Sequence, residues 1–147
     1  MIAIVPAGPE HLDGWAALRH LLWDDEPASV HRAEAEEQLK DPQRYRNLVA
    51  VEDGEVIGFA EGTLRHDYVN GCDTSPVVFL EGICVAPRAR RQGLARQLVA
   101  AIADWGRTKG CLEFASDTWL ENDEGLAFHL AAGFVETGRT ITFRQSI

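Results

Sequence analysis

The chain has 147 residues, 46% of them hydrophobic, with 23 acidic against 14 basic side chains and a formal net charge of −9. This length suits one domain, 1–147, with a sizeable core, and the negative field repels nucleic acid phosphates and anionic membranes while favouring a cationic ligand. No apolar run is long enough for a membrane helix, the N-terminal "MIAIVPAGPEHL" lacks the basic region and cleavage site of a secretion signal, and Cys72, Cys84 and Cys111 show no metal-type spacing, which predicts free thiols in a reducing cytoplasm and no metal.

Residues 1–5 (MIAIV) read as a short strand. A helix is expected from Pro9 to Trp23, where Leu12, Trp15, Leu18 and Leu22 recur at three- and four-residue steps. A more polar helix covers about 28–40 and stops near Asp41-Pro42. "RNLVAVEDGEVIGFAEGTLR" reads as a hairpin turning at Asp53-Gly54. "YVNGCDTSP" is a loop and "VVFLEGICV" a buried strand. A helix from about 93 to 108 lines up Leu94, Leu98, Ile102 and Trp105 and ends near Gly110. "LEFASD" is a strand, "NDEGLAFHLAA" a short helix closed by Gly133, and "FVETG" with "RTITFRQS" a final strand pair. The order β-α-α-β-β-β-α-β-α-β-β predicts an α/β (α+β) fold: a mixed sheet with helices on its faces.

Between the buried strand and the long helix the chain concentrates Arg88, Arg90, Arg91 and Arg96 around Gly93. The first turn of a helix exposes unpaired N–H groups at the positive end of its dipole, and glycine lets an anion approach the backbone. The pattern suits a phosphorylated cofactor, although it is shorter than a Walker loop and has no G-x-G-x-x-G; solvated arginines on a surface loop would give the same composition.

"RRQGLA" (90–95) matches the R-x-x-G-x-A signature of the GNAT N-acetyltransferase superfamily, and "NDEGLAFHLAAGF" (122–134) resembles that family's second element. "LRHLLW" (18–23), "RHDYVNGCDTSPVVFLEGICV" (65–85) and "KGCLEFASDT" (109–118) resemble the short, dimeric bacterial aminoglycoside 6′-N-acetyltransferases, nearly end to end. The resemblance implies a GNAT fold with splayed central strands, acetyl-CoA as co-substrate, and transfer of its acetyl group to an aminoglycoside 6′-amine, which confers resistance. It implies that the pantetheine arm pairs with the backbone of Ile83, Cys84 and Val85. The pyrophosphate is then cradled by Arg91, Gln92, Gly93, Leu94, Ala95 and Arg96, with Asn122, also a candidate helix N-cap, in contact with the cofactor.

Acetyl transfer needs a neutral amine, so a carboxylate must accept a proton directly or through water. Glu81 is the candidate: it stands in an apolar strand, where a carboxylate needs a partner, either a cationic amine or a core arginine. A backbone N–H such as that of Val85 would polarise the thioester oxygen. His129 occupies the position where many family members have a thiolate-protonating Tyr; either it serves as the acid or the thiolate leaves unprotonated. The resemblance adds Asp117, Trp23, His66, Tyr68 and Glu136 as substrate contacts, Tyr68 reaching across a homodimer interface, while Trp23 also suits the core and Asp117 a turn. Relatives often carry E-T-E where this chain has Glu136-Thr137-Gly138. Two other readings fit the acidity: acetylation of a polyamine or other cationic metabolite, and a non-catalytic acyl-CoA-binding module.

Overall fold

The computed structural model describes residues 1–147. In chain order they form β1 (Ile2–Pro6), α1 (Leu12–Leu22), α2 (Ala28–Leu39), β2 (Tyr45–Glu52), β3 (Glu55–Arg65), β4 (Val77–Val85), α3 (Leu94–Thr108), β5 (Phe114–Ser116) and α4 (Asp123–Ala131). Single 3-10 turns at Pro9–His11 and Pro87–Ala89 lead into α1 and the α3 approach. The predicted helix from Pro9 to Trp23 therefore begins with a tighter turn, and α1 proper starts at Leu12.

The five strands lie in the order β1-β2-β3-β4-β5. The first four are antiparallel neighbours, and β5 runs parallel to β4, which makes the sheet mixed. The β2–β3 hairpin turns on Asp53 (φ 52°) and Gly54 (φ 80°), both left-handed, as the type I′ turn favoured by strand twist requires. Side-chain alternation distributes the sheet between two layers. Leu48, Ala50, Ala60 and Val85 face α3, where Leu98 and Ile102 are fully buried; each such side chain contributes about 2 kcal/mol. Val49, Phe59 and Cys84 face the opposite way, against Leu12, Trp15 and Leu18 of α1 and Ala35 of α2.

The predicted final strand pair, 134–138 with 139–146, does not form. β5 is the last strand, and beyond Phe134 no backbone group finds a backbone partner. The alternation is there in the sequence, but a strand exists only through its neighbour, and this segment has none in its own chain. Val135, Ile141 and Phe143 are consequently 81%, 81% and 89% exposed.

Candidate active site

The sheet opens at its centre. β5 pairs with β4 only at Val78, Phe79 and Leu80, opposite Phe114, Ala115 and Ser116. From Glu81 to Val85, β4 keeps β3 on one side and has no strand on the other. The free edge at Ile83–Val85 can accept an extended chain by strand addition. Where the strands part, the β3–β4 register slips: Glu61 faces Gly82 and Gly62 faces Leu80, so Glu81 is the extra residue of a bulge. A bulge re-aims the side chain it carries, and here it turns a carboxylate out of an otherwise apolar strand.

The helix mouth lies at the other end of that free edge. Arg91 (φ 66°) and Gly93 (φ 79°) are both left-handed around Gln92. In this turn the N–H groups of Arg91 through Arg96 have no backbone partner, so they form an anion-binding concavity at the start of α3. A Cβ built on Gly93 meets nothing within 4 Å, which leaves the approach open. The predicted arginine cluster divides in two. Arg88 is tied to Glu52 and Glu55 on the β2–β3 hairpin, and Arg90 Nε donates to the Val85 carbonyl at 3.0 Å, bracing the turn. Arg91 and Arg96 are exposed and in no ion pair. The site therefore fits a pyrophosphate through amides and two unpaired cations.

A cleft of about 910 Å³ lies on the α1/α2 side, with Trp23, His66, Tyr68 and Glu81 among its walls. Asp41, Glu61 and Asp67 add further carboxylates, and Thr63 and Arg65 line the floor beside Glu81. Arg19, Arg44 and Arg65 share the lining with these four carboxylates, and Arg19 and Arg65 already pair with Glu61 and Glu81, so the cleft offers charges of both signs beside its aromatic rings. Asp117 and Glu136 are exposed outside this cleft; Glu136 pairs with Arg139, whose guanidinium holds its carboxyl below the usual range. Tyr68 is 78% exposed on the loop after β3.

Trp23 is both wall and core. Its ring stacks on His31, tilts against Phe59 and lies so close to β4 that a Cβ on Gly82 would fall 2.4 Å from it. Behind it runs a network that sequence reasoning missed. Arg19 donates to Glu61 at 2.6 Å and also pairs with Glu34, and Trp15 Nε1 donates to Glu61 at 3.0 Å. Burial pushes the Glu61 carboxyl up, with Arg19 opposing. The signal was present: Glu61 interrupts an apolar strand just as Glu81 does.

Glu81 itself pairs with an arginine, and that arginine is half-exposed rather than in the core. Arg65 Nη2 lies 2.8 Å from both carboxylate oxygens, Nε is 3.0 Å from Oε2, and Thr63 Oγ1 donates to Oε2 at 2.6 Å. The Arg65 guanidinium rests 3.6 Å from the Phe79 ring centroid. Asn122 is the N-cap of α4: its Oδ1 accepts from the Gly125 N–H at 2.9 Å, and its Nδ2 donates to Thr118. His129 is held at both nitrogens, Nδ1 by the Gly125 carbonyl at 2.6 Å and Nε2 by Ser116 Oγ at 2.8 Å. No group of three or more His, Cys, Asp or Glu side chains is placed to hold a metal.

A sheet that splays beside a bulge, with an amide-rich helix mouth below the gap, defines an acyl-CoA-dependent N-acetyltransferase scaffold. The model of the acetyltransferase (GNAT) family matches residues 15–134, and the chain belongs to that family. Within it the chain is similar to aminoglycoside N(6′)-acetyltransferase type 1 of Salmonella typhimurium, 51% identical over 92% of each chain. It is also similar to that of Serratia marcescens, 45% identical over 98% of this chain and 99% of the other. Among solved structures it resembles AAC(6′)-Iy in complex with the bisubstrate analogue CoA-S-monomethyl-acetylneamine (TM-score 0.92, 47% identity, 100% and 99% coverage). AAC(6′)-Ih from Acinetobacter baumannii is as close in fold (TM-score 0.93, 40% identity, 100% and 99% coverage).

Proposed function

We propose that this chain, as one acetyltransferase domain over residues 1–147, transfers the acetyl group of acetyl-CoA to the 6′-amino group of aminoglycoside antibiotics and so confers resistance. The observation that carries the reading is the bulge at Glu81, which sets a carboxylate at the point where β4 and β5 part, between the cleft and the helix mouth. The relatives' named activity supports the substrate class.

Acetyl-CoA bound at the splay supplies the activated acyl group. The amides from Arg91 to Arg96 hold its diphosphate, the free edge at Ile83–Val85 aligns its pantetheine arm, and Asn122 contacts it from the cap of α4. The Val85 N–H polarises the thioester oxygen. Glu81 accepts the proton of the attacking ammonium, directly or through water, which requires Arg65 to share or yield its hold. Trp23, Tyr68 and His66 bound the sugar rings, and Asp117 and Glu136, which lie outside the cleft, could meet only a part of the substrate that extends beyond it. His129 provides the acid for the leaving thiolate.

Micromolar affinity needs roughly 8 kcal/mol, and exposed ion pairs give at most about 1 kcal/mol each, so ring contacts and hydroxyl hydrogen bonds supply much of the binding. The unpaired segment beyond Phe134, with Ile141 and Phe143 exposed, supports a homodimer in which it finds its strand neighbour on a second copy. We place the enzyme in the cytoplasm, where acetyl-CoA is made and Cys72, Cys84 and Cys111 stay free.

Free CoA release with kanamycin, tobramycin and spermidine tests the reading. Release with the two antibiotics at far higher kcat/KM supports it. A preference for spermidine makes the enzyme a polyamine acetyltransferase, and no release with any of them leaves only an acyl-CoA-binding module.

A further inference from the structure

We propose that Ser116 is a further catalytic residue of this site, its hydroxyl carrying a proton from His129 to the departing thiolate of CoA. The inference rests on the acetyl-CoA-dependent function proposed above and concerns a residue that neither the motif nor the spacing singles out.

Ser116 is the last β5 residue paired with β4, opposite Leu80, so its side chain stands at the opening of the splay. Its Oγ lies 3.2 Å from the Leu80 carbonyl oxygen and 2.8 Å from His129 Nε2. His129 Nδ1 is 2.6 Å from the Gly125 carbonyl, and the Gly125 N–H is itself fixed by the Asn122 cap. The rings of Phe128 and Phe134 meet the imidazole edge-on at 5.6 and 5.3 Å, which holds its plane.

The proton inventory follows from what each atom can do. Both carbonyls only accept, so Nδ1 carries a hydrogen, and Ser116 has one proton to place. With a neutral ring, Ser116 donates to Nε2. With an imidazolium, Nε2–H donates to Oγ, and the Ser116 proton is free to rest on Leu80 O or to turn into the splay. A proton leaving Nε2 has only Oγ to pass to, because the other ring nitrogen faces a backbone carbonyl.

The relay balances as follows. The thioester carbon–sulfur bond breaks and its electron pair stays on sulfur; the sulfur takes the Ser116 proton, and Oγ takes the Nε2 proton. The products are the amide, CoA thiol and neutral His129, which regains its proton from solvent.

The test reads the ultraviolet thiolate absorbance of CoA bound to the enzyme, without aminoglycoside, beside kcat with it. At equilibrium a hydroxyl that donates to sulfur favours the thiolate, so Ser116→Ala and His129→Asn are each expected to lower the bound thiolate fraction at a pH near its titration midpoint. Each lowers kcat about 10- to 100-fold, at or below the lower end of acid catalysis because a thiolate also leaves unaided. The double variant is expected to be no worse than either single one, as residues acting in series require, and Ser116→Thr, which keeps the hydroxyl, to restore both readings. An unchanged thiolate fraction in Ser116→Ala, or single effects that add, overturns the relay. Because the thiolate reading needs no aminoglycoside, it decides the relay even if the wild-type enzyme acetylates none of the antibiotics, which would instead refute the proposed substrate.

Discussion

Arg65 grips Glu81 through both carboxylate oxygens, from 2.8 Å, while Thr63 occupies one of the same oxygens at 2.6 Å. The proposed proton acceptor is thus held in one orientation by a cation that any ammonium must share it with. The pair is partly open to solvent, with Arg65 42% and Glu81 29% exposed, so its worth to folding is at most about 1 kcal/mol. Glu81→Gln should therefore lower kcat/KM by roughly 10²-fold or more while shifting stability by no more than about 1 kcal/mol. Steady-state kinetics beside a denaturant titration separates these; a fall in both, in proportion, would make Glu81 a structural residue.

Arg65→Met removes the resident cation and leaves Glu81 to Thr63. The expected result is a lower KM for a polycationic substrate, most evident at low salt, where the attraction is least screened. A KM that rises shows that Arg65 is needed to aim the carboxylate.

Gly93 adopts φ 79° with open space before it. Gly93→Ala imposes a left-handed cost of about 1–2 kcal/mol, worth a few degrees in Tm for a chain of this size. It also puts a methyl group where the proposed binding mode brings a phosphate oxygen. Calorimetric titration should show CoA affinity weakened by at least about tenfold, or 1.4 kcal/mol. An unchanged Kd would move the diphosphate away from this helix mouth.

The hairpin at Asp53-Gly54, the α3 stripe and the whole span of β4 could be read from local signals, because turn chemistry and side-chain period act within a few residues. The Arg19–Glu61 pair could not be paired in advance, since its members lie 42 positions apart and only the packing of α1 on β3 joins them. The alternation after Phe134 is a true strand pattern, yet no strand forms there because it has no neighbour in its own chain. Within the site, Trp23, His66, Tyr68 and Glu81 converge on one cleft, whereas Asp117 and Glu136 do not, and the Arg65 clamp on Glu81 depends on a bulge that no local pattern announces.

The apolar tail makes its own prediction. If Ile141 and Phe143 are covered by a second copy, sedimentation at micromolar concentration gives a dimer, and Phe143→Asp shifts it towards monomer. A wild-type monomer would contradict the homodimer.

Glu113 ties down the loop before β4. The Thr74 hydroxyl foremost, with the Asp73 and Thr74 N–H groups, donates to its carboxylate and holds it below the ordinary glutamate value. The folded state thus keeps Glu113 ionised where the unfolded chain would bind a proton. Its contribution is present above the ordinary value of about 4.3 and is lost as pH falls through the lowered one. Protection of the Asp73 and Thr74 amides against hydrogen exchange, relative to the free-chain rate at the same pH, should fall across that acid window in the wild type, and Glu113→Gln should abolish the step. Exchange with no such acid step in the wild type would contradict the tether.

The most direct measurement is the position of the new amide in the product. Nuclear magnetic resonance of kanamycin after reaction with acetyl-CoA should show a single acetyl group on the 6′-nitrogen, and an aminoglycoside bearing a 6′-hydroxyl should release no CoA. Acetylation at another nitrogen, or equal turnover of the 6′-hydroxyl compound, would contradict the account.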